Sequence, residues 1–439
     1  MKLLLKNGRV VDPVNDRDGT YDVLIEDGIV TRIDRDAAVD AGVTIFEMPE
    51  GAVICPGLID MHVHLREPGQ EHKETVATGV ASAVAGGFTA VACMPNTSPI
   101  NDNASVTELI LDRSAQANLA RVYPIGAVSV GQKGEQLAEL AELRDAGCVA
   151  FSDDGRPVAT ALLMRRALEY AGMLGLLVVD HCEDPTLKGD GVAHEGYYAS
   201  LLGLRGIPGE AEELMVERDV TLAGMTKAAV HIAHMSTRGS LRAVRDGKAR
   251  GVRVTCEVTP HHVTLTDEAL VDYDTNVKMN PPLRDAADRD ALIEGLRDGT
   301  IDAIATDHAP HHADEKAVEF DHAPFGIVGL ETCVPLMLDR LVHGGVISMR
   351  RFVELLSVNP ARLLKITGGS LAAGQSADIT VLLPDLEVVV DRAKLQSKSK
   401  NMPFDGWRLR GGVGATFVGG RLVYCNTGVP ALAAWTRNH

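Results

Sequence analysis

The sequence lacks paired cysteines, an excess of positive charge and long hydrophobic runs. Its seven cysteines are scattered and form no Cys-x-x-Cys pair, which argues against a disulfide framework and against a zinc ribbon. Lysine and arginine total 43 against 60 acidic residues, so the formal net charge is −17. This balance argues against nucleic acid and membranes as partners, because both require a basic face. The cysteine usage is typical of a reducing compartment, and we expect a cytoplasmic protein.

No stretch of the chain has the pattern of a membrane anchor. At the N-terminus only three leucines separate Lys2 from Lys6, which is too short for the apolar region of a signal peptide. The long uncharged stretch at 75–101 is rich in small residues and is broken by Gly86-Gly87 and Pro95-Asn96. A short helix followed by a buried strand explains this stretch better than a membrane span.

The two ends of the chain share one pattern. Hydrophobic residues make up 45% of the sequence, which is ordinary for a globular protein. Short alternating strands with turns at Asn7-Gly8, Asp27-Gly28 and Gly419-Gly420 predict hairpins near both ends. Neither end is long enough to bury a sheet alone. We therefore expect residues 1–54 and 370–439 to combine into one small β-sandwich.

The central residues 55–369 alternate apolar runs with helical stretches. Parallel strands that are covered by helices read as near-continuous apolar runs, and eight strand-and-helix units in succession predict a TIM-like (β/α)8 barrel. The predicted fold class is therefore α/β. The predicted strands are Val53–His62, Thr89–Met94, Val122–Val128, Val149–Asp154, Leu176–His181, Val230–His234, Val252–Val258 and Ile301–Asp307.

Metal-binding side chains recur where these strands end, which is where barrel enzymes carry their chemistry. The first and last of them lie 245 residues apart, or 35 for each of seven units, as expected for a βα repeat. Four histidines and two aspartates exceed the needs of a mononuclear site and predict two metals that share a carboxylate. The candidates are His62, His64, either Asp153 or Asp154, His181, His234 and Asp307.

Strand alternation assigns roles to the other histidines in this region. His231 and His308 fall on the opposite strand face from their neighbouring candidates, so we predict structural roles for both. His261 and His262 follow the seventh strand and are candidates for supporting the site. Alternation does not choose between the two adjacent aspartates of the fourth strand.

Three further features point to the substrate side of the site. Arg66 follows His64 by two residues, so strand parity predicts that both side chains face the same way, and arginine suits a carboxylate. A Gly/Pro/Glu-rich insertion at 183–213 is expected at the rim. The polar loop at 311–325 is expected to close over the ligand as a lid.

Five motifs carry a resemblance to a known family: Arg66-Glu67-Pro68-Gly69, Met94-Pro95-Asn96-Thr97, Phe151-Ser152-Asp153-Asp154-Gly155, Asn280-Pro281-Pro282-Leu283-Arg284 and Thr306-Asp307-His308-Ala309-Pro310-His311. With them, essentially the whole chain resembles bacterial class I dihydroorotases of the amidohydrolase superfamily. The resemblance implies two Zn²⁺ per subunit, bridged by Asp154 and a hydroxide. His62 and His64 would bind the first zinc, and His181 and His234 the second.

The resemblance also implies a reaction and a substrate site. Asp307 would ligate the first zinc and act as the catalytic acid and base. The reaction would be the reversible hydrolysis of (S)-dihydroorotate to N-carbamoyl-L-aspartate, in de novo pyrimidine biosynthesis, by a homodimer with aspartate carbamoyltransferase as a further partner. The substrate-binding residues would be His64, Arg66, Asn96, Asn280, His311, Phe325 and Gly326.

Two alternatives come from other classes. Hydantoinases and allantoinases hydrolyse related cyclic amides, but they bridge their metals through a carboxylated lysine on strand four, and no lysine lies between Lys133 and Asp154. An inactive scaffold for aspartate carbamoyltransferase would be expected to have lost metal ligands, whereas all six positions are filled.

Overall fold

The computed structural model describes residues 2–35, 37 and 42–433. The parts of the predicted end domain at 1, 36, 38–41 and 434–439 lie outside the described residues. Within the described ranges, no helix is both long and apolar enough to cross a bilayer. The strands are β1 (Lys2–Asp12), β2 (Arg17–Glu26), β3 (Ile29–Asp34), β4 (Thr44–Glu47), β5 (Val53–Pro56), β6 (Leu58–Val63), β7 (Phe88–Cys93), β8 (Arg121–Gly126), β9 (Ala150–Phe151), β10 (Leu177–Asp180), β11 (Ala193–His194), β12 (Gly206–Ile207), β13 (Val230–Ile232), β14 (Val254–Val258), β15 (Ala303–Ile304), β16 (Ile379–Val389), β17 (Arg408–Val418) and β18 (Arg421–Cys425).

Helices connect the central strands, and several of them begin at a side-chain cap. Thr75, Asn103, Thr160 and Thr237 each accept a backbone N–H of the following first turn, which satisfies a donor that would otherwise lack a partner. The helices are α1 (Val76–Ala85), α2 (Ala104–Ala117), α3 (Leu140–Ala146), α4 (Ala161–Leu174), α5 (Pro185–Lys188), α6 (Tyr197–Leu202), α7 (Glu210–Thr226), α8 (Arg238–Ala249), α9 (Pro260–Thr264), α10 (Ala286–Asp298), α11 (Ala313–Lys316), α12 (Leu330–Met337), α13 (Met349–Val353) and α14 (Asn359–Leu364).

Eight parallel strands form the central barrel. They pair in the order β15-β14-β13-β10-β9-β8-β7-β6, which is chain order read backwards with only the short β11–β12 sheet inserted. The two edges meet where Val63 forms a parallel bridge with His308, and the His64 N–H donates to the His308 carbonyl at 2.9 Å. The predicted α/β class and the (β/α)8 barrel are therefore confirmed.

Several strands are shorter than the sequence predicted, and the fourth, sixth and eighth are shorter at their carboxyl ends. The fourth comprises only Ala150–Phe151 and the eighth only Ala303–Ile304. Beyond these ends the backbone leaves the extended region, and φ is +31° at His234 and +46° at Asp307. Successive side chains of a strand point to opposite faces of the sheet. A turn at the end of the strand removes this alternation and lets the side chains of His234 and Asp307 point towards the same place.

The first predicted strand is also divided in two. β5 belongs to the sheet of the chain ends and β6 to the barrel, with Gly57 between them. A Cβ at Gly57 would lie only 2.1 Å from Thr89 Oγ1, so the packing of the Thr89 side chain against this position leaves room only for glycine. The prediction of one continuous strand was wrong because an apolar run does not reveal a change of sheet.

Strands from the two chain ends form one mixed sheet in the order β18-β17-β16-β5-β1-β2-β3, with β4 beside β1. Phe46 of β4 contacts Phe417 of β17, with ring centroids 5.8 Å apart, although these strands are not neighbours. The sheet therefore curls over, and its two limbs enclose a separate apolar core. The division into domains 1–54 plus 370–439 and 55–369 stays a prediction that this arrangement supports.

Candidate active site

The carboxyl ends of the barrel strands bring six side chains together. They come from β6, β9, β10, β13 and β15 or from the residues just after them, and all are at least nine-tenths buried. The contacts between imidazole nitrogens and carboxylate oxygens across the cluster measure 3.0–3.5 Å. The cluster consists of His62, His64, Asp154, His181, His234 and Asp307, the six ligand positions predicted from the sequence.

On one side of the cluster, His62 and His64 are each held from outside. Their Nε2 atoms face the carboxylates, with His64 Nε2 lying 3.0 Å from Asp307 Oδ1 and His62 Nε2 lying 3.5 Å from the same oxygen. Their Nδ1 atoms have other partners: His62 contacts Glu257 Oε1 at 2.8 Å, and His64 contacts Asn96 Oδ1 at 2.8 Å. Both rings are therefore oriented before any ligand binds.

On the other side, His181 and His234 contact each other and one carboxylate. His181 Nδ1 lies 2.9 Å from His234 Nε2, and both nitrogens lie 3.5 Å from Asp154 Oδ1. His181 Nε2 is 3.2 Å from Asn280 Nδ2 and 3.5 Å from Glu183 Oε2. Asp154 thus stands between the two sides, because its other oxygen lies 3.5 Å from His64 Nε2.

The two aspartates of the cluster are held in the ionised form. Burial raises the pKa of Asp307, but the charge on His62 and the hydrogen bond from His64 outweigh burial and lower it to about 2. Burial acts on the pKa of Asp154 in the same way, yet contacts that include His62 and His181 lower it well below the usual range. Both carboxylates are therefore negatively charged at neutral pH and can bind a cation.

The chemistry of the cluster fits divalent metal ions. Two overlapping sets, His62 with His64 and Asp307, and His62 with Asp154 and His234, have ligand atoms within 4.8 Å of one another. His62 Nε2 and Asp154 Oδ1 are buried and have no hydrogen-bond partner among the described residues, although both point into the cluster. Buried polar atoms need partners, and imidazole with carboxylate is a donor set that zinc accepts.

The structure chooses between the adjacent aspartates of strand four. Asp153 points away from the cluster, where its Oδ1 accepts the N–H groups of Val128 and Ser129 at 2.8 and 3.1 Å. Asp154 alone faces the histidines. Asp153 instead ties the loop after β8 to the end of β9.

A cavity of about 390 Å³ opens beside the cluster. Its wall includes Lys73, Lys188 and Met279, which were not predicted. It also includes every residue that the sequence assigned to the substrate: His64, Arg66, Asn96, Asn280, His311, Phe325 and Gly326.

Arg66 reaches this cavity by a route that strand parity did not describe. β6 ends at Val63, and Arg66 has φ of +62°, so it is not part of a strand and the parity argument was wrong. Its Nε donates to the Pro310 carbonyl at 3.1 Å, and its Nη2 lies 3.4 Å from His311 Nε2. The side chain is placed by the segment after β15, which is adjacent to β6 in the closed barrel but about 245 residues away in the sequence, so local sequence cannot reveal the contact.

Cations gather at a second part of the cavity wall, which is formed by Arg66, Lys73 and His311. Lys73 Nζ lies 3.4 Å from His311 Nδ1, and Arg66 contacts the other ring nitrogen. Burial and the charges of Arg66 and Lys73 lower the pKa of His311 far below its ordinary value, so the ring is neutral. Positive charge at this wall therefore comes from Arg66 and Lys73, and His311 contributes a polar ring.

Comparison with known proteins agrees with this geometry. A family model described as Dihydro-orotase-like matches residues 51–240. The dihydroorotase of Geobacter sp. (strain M21) is 54% identical over 424 residues, which cover 97% of this chain and 99% of that protein. The dihydroorotase of Pelotomaculum thermopropionicum is 56% identical over 423 residues, covering 96% and 98%. The chain belongs to the dihydroorotase family.

Solved structures with the same fold come from related hydrolases. The L-hydantoinase (dihydropyrimidinase) of Arthrobacter aurescens matches with a TM-score of 0.86 and 26% identity, covering 96% of this chain and 95% of that one. A dihydropyrimidinase of Brevibacillus agri matches with a TM-score of 0.83 and 23% identity over 97% and 95% of the two chains. The second likeness concerns the fold alone.

Four other histidines that the sequence analysis considered lie outside the cluster of this dihydroorotase-family barrel. His231 Nδ1 contacts Thr255 Oγ1 at 2.8 Å, and His308 Nδ1 accepts the Gly329 N–H at 3.2 Å, so neither ring enters the cluster. His262 contacts the Pro281 carbonyl at 2.9 Å. His261 is buried beside it, and its Nε2 has no hydrogen-bond partner within the described part of the chain.

The sequence reading missed Glu257, which is fully buried on β14 and contacts His62. A signal for it was present, because a single carboxylate interrupts the apolar run Val254–Val258. Charged groups are rarely buried without a partner, so such an interruption indicates a specific contact. Lys188 belongs to the predicted rim insertion, and its Nζ lies 5.3 Å from the centre of the Phe325 ring.

Hydrogen bonds from two lysines connect the loop at 311–325 with residues 275–278. Lys316 Nζ donates to the carbonyls of Thr275 at 2.9 Å and Pro324 at 2.8 Å, and Lys278 Nζ donates to the Phe320 carbonyl at 2.6 Å. Burial lowers the pKa of Lys316 to about 7. Closure of this loop over a ligand stays a prediction.

Proposed function

We propose that this chain is a class I dihydroorotase, a hydrolase that converts (S)-dihydroorotate reversibly to N-carbamoyl-L-aspartate with two zinc ions per subunit. The observation that carries the proposal is one cavity with two walls. One wall is the histidine and aspartate cluster with Asn96, which contacts His64 and Asp154, and the other holds Arg66, Lys73 and His311. A cyclic amide that bears a carboxylate needs both walls at once. The near full-length likeness to curated dihydroorotases supports the same substrate.

Asp307 is placed to move the proton in the proposed reaction. Zinc ions bound at the cluster would supply polarisation of the ring carbonyl and a lowered pKa for a water molecule. Asp307, held ionised by its neighbours, accepts the proton of the attacking water and then donates it to the leaving amide nitrogen. We assign His62 and His64 with Asp307 to one ion, His181 and His234 to the other, and Asp154 to both.

The opposite wall orients the substrate. Arg66 presents a planar guanidinium that can hold both oxygens of the ring carboxylate, and Asn96 and His311 flank it. Asn280 Oδ1 is buried without a hydrogen-bond partner among the described residues and lines the cavity, so it can accept a ring N–H. We assign the Phe325-Gly326 backbone to a position beside the substrate ring.

The strand-four residue supports dihydroorotase over the other cyclic amidases. Asp154 occupies the bridging position, whereas the sequence resemblance implies a carboxylated lysine there in hydantoinases and allantoinases. An inactive scaffold is disfavoured because all six ligand positions converge with buried, oriented side chains. We further propose a cytoplasmic homodimer, with aspartate carbamoyltransferase as the candidate partner.

The test is a substrate panel with metal analysis on the same purified sample. We expect hydrolysis of dihydroorotate and about two zinc ions per chain, with far slower turnover of hydantoin and allantoin. Faster turnover of either of those rings would favour the other cyclic amidases. Full metal content without turnover of any ring would favour the scaffold.

A further inference from the structure

Glu257 lies in the wall of the barrel and makes contacts that packing alone does not explain. Glu257 is fully buried as the last residue but one of β14, and its sequence neighbours Cys256 and Val258 are buried and apolar. An ionised side chain at such a place is costly unless donors surround it. Three donors do surround it, and two of them belong to candidate metal ligands.

The first donor is the ring of His62. Its Nδ1 lies 2.8 Å from Glu257 Oε1, and a carboxylate there can only accept, so Nδ1 carries the hydrogen. In the neutral ring that metal binding requires, a hydrogen on Nδ1 leaves the lone pair on Nε2, the atom that faces Asp154 and Asp307. Glu257 thereby selects the tautomer of His62 that can bind a metal.

The second donor fixes the carboxylate itself. His231 Nε2 lies 3.3 Å from Glu257 Oε2, and His231 Nδ1 lies 2.8 Å from Thr255 Oγ1 on the same strand as the glutamate. The ring therefore spans from Thr255 to Glu257 and holds the carboxylate oxygen that His62 does not contact. His231 lies outside the cluster, and through this contact it orients the Glu257 carboxylate.

The third donor is a backbone group on the other side of the metal cluster. The N–H of His234 points to Glu257 Oε1 at 3.4 Å. His234 has φ of +31°, a conformation that a side chain other than glycine rarely adopts, so its turn needs support from its surroundings. One carboxylate oxygen thus contacts a ligand ring on β6 and the turn that carries a ligand after β13.

We propose that Glu257 is a positioning residue for the metal centre, which sets the tautomer and direction of His62 and steadies the turn of His234, with His231 holding the carboxylate in place. This inference rests on the proposed function only in that the cluster binds metal. Glu257 itself does not line the substrate cavity and contacts neither the substrate wall nor the reacting atoms.

The test compares Glu257→Gln and Glu257→Ala for metal affinity. Metal-stripped full-length protein is titrated with Zn²⁺ against a chromophoric chelator, and its Co²⁺ form is examined by visible absorption. Loss of an outer partner of a ligand histidine typically weakens metal binding about 10- to 100-fold, and we expect that loss for the alanine variant. Glutamine keeps an oxygen that can accept from His62, so its loss should be smaller, with a shifted Co²⁺ spectrum in both variants.

Glu74→Gln is the matched control. Glu74 is equally buried and contacts a histidine, with its Oε2 lying 3.5 Å from His308 Nε2, but that ring lies outside the cluster. We expect this variant to keep wild-type affinity and an unchanged Co²⁺ spectrum. Wild-type affinity in both Glu257 variants, or an equal loss in Glu74→Gln, would overturn the inference.

The design separates this inference from the proposed function. A wild-type protein that binds no zinc contradicts the metal centre and the inference with it. A wild-type protein that binds zinc, with the Glu257 variants unchanged, contradicts the inference alone. If the alanine variant does not fold, the glutamine variant and its spectrum decide.

Discussion

The two sides of the metal cluster differ in how their histidines are supported. On the side of His62 and His64, each ring has a side-chain oxygen 2.8 Å from its outer nitrogen. On the other side, His181 has only longer contacts, and His234 Nδ1 is buried without a hydrogen-bond partner within the described ranges. The first side is organised by the protein alone, whereas the second depends more on what binds there. We therefore expect two metal ions of unequal affinity.

The largest expected effect comes from the proton carrier, which belongs to the well-supported side. Asp307→Asn keeps the shape of the side chain but cannot accept the proton of the attacking water, so kcat should fall by about 10²–10⁴-fold. The measurement is dihydroorotate hydrolysis, with metal content determined on the same sample. Retention of more than about a tenth of wild-type kcat would contradict the acid and base assignment.

The affinities of the two metal ions test whether the two sides of the cluster differ. Titration of the loaded protein with a chelator should release metal in two steps, separated by about 10- to 100-fold in Kd, because outer-partner support contributes about that much. His181→Ala should keep one tightly bound ion, while His62→Ala should keep only a weakly bound one. A single release step, or the tighter ion remaining in His62→Ala, would reverse the assignment of the two sides.

The substrate wall gives a smaller effect. Arg66→Lys keeps the charge but loses the planar fork, so one charge-assisted hydrogen bond of about 1.5 kcal/mol should be lost, which corresponds to about a tenfold rise in KM for dihydroorotate. Metal content should stay at the wild-type level, since Arg66 touches no ligand in the cluster contacts described above. An unchanged KM would show that the ring carboxylate binds elsewhere.

Proton release is the smallest effect and concerns His181. Burial lowers the pKa of His181, but contacts with Asp154 and Glu183 outweigh it and raise the pKa to about 10. With no metal bound, this ring is protonated at neutral pH, so metal binding must displace about one proton there and tighten as the pH rises towards 10. Calorimetry in buffers of different ionisation enthalpy measures the release.

His181→Ala is the control for that experiment. The variant should release about one proton fewer when the metals bind, and the pH dependence of its remaining metal should be weaker. Equal proton release in the variant and the wild type would place the displaced proton on another group.

The sequence was most informative for residues whose position follows from the topology of the barrel. Carboxyl ends of parallel barrel strands must converge, so spacing alone could bring together His62, His181, His234, Asp307 and one aspartate of the pair Asp153 and Asp154. Asp153 and Asp154 could not be separated from periodicity, because β9 has only two residues and ends before both. The ligands lie in turns, where alternation no longer applies.

Contacts between distant elements were beyond the sequence. Arg66 is held by Pro310 and His311, about 245 positions further along the chain, and its positive φ removes it from strand parity. Glu257 is the last residue but one of β14 and contacts the ligand ring of His62 on another strand, a contact that the sequence of β14 does not record. The change of sheet at Gly57 depends on contact with Thr89, which a local pattern does not record.

Stepwise reconstitution tests the central claim most directly. Metal-stripped protein receives zinc from zero to three equivalents per chain, and dihydroorotate hydrolysis is measured at each step. A reaction that needs both sides of the cluster predicts little activity up to one equivalent, a steep rise between about one and two, and a plateau thereafter. Full activity at one equivalent or less, or no activity at any zinc level, would contradict a two-metal dihydroorotase.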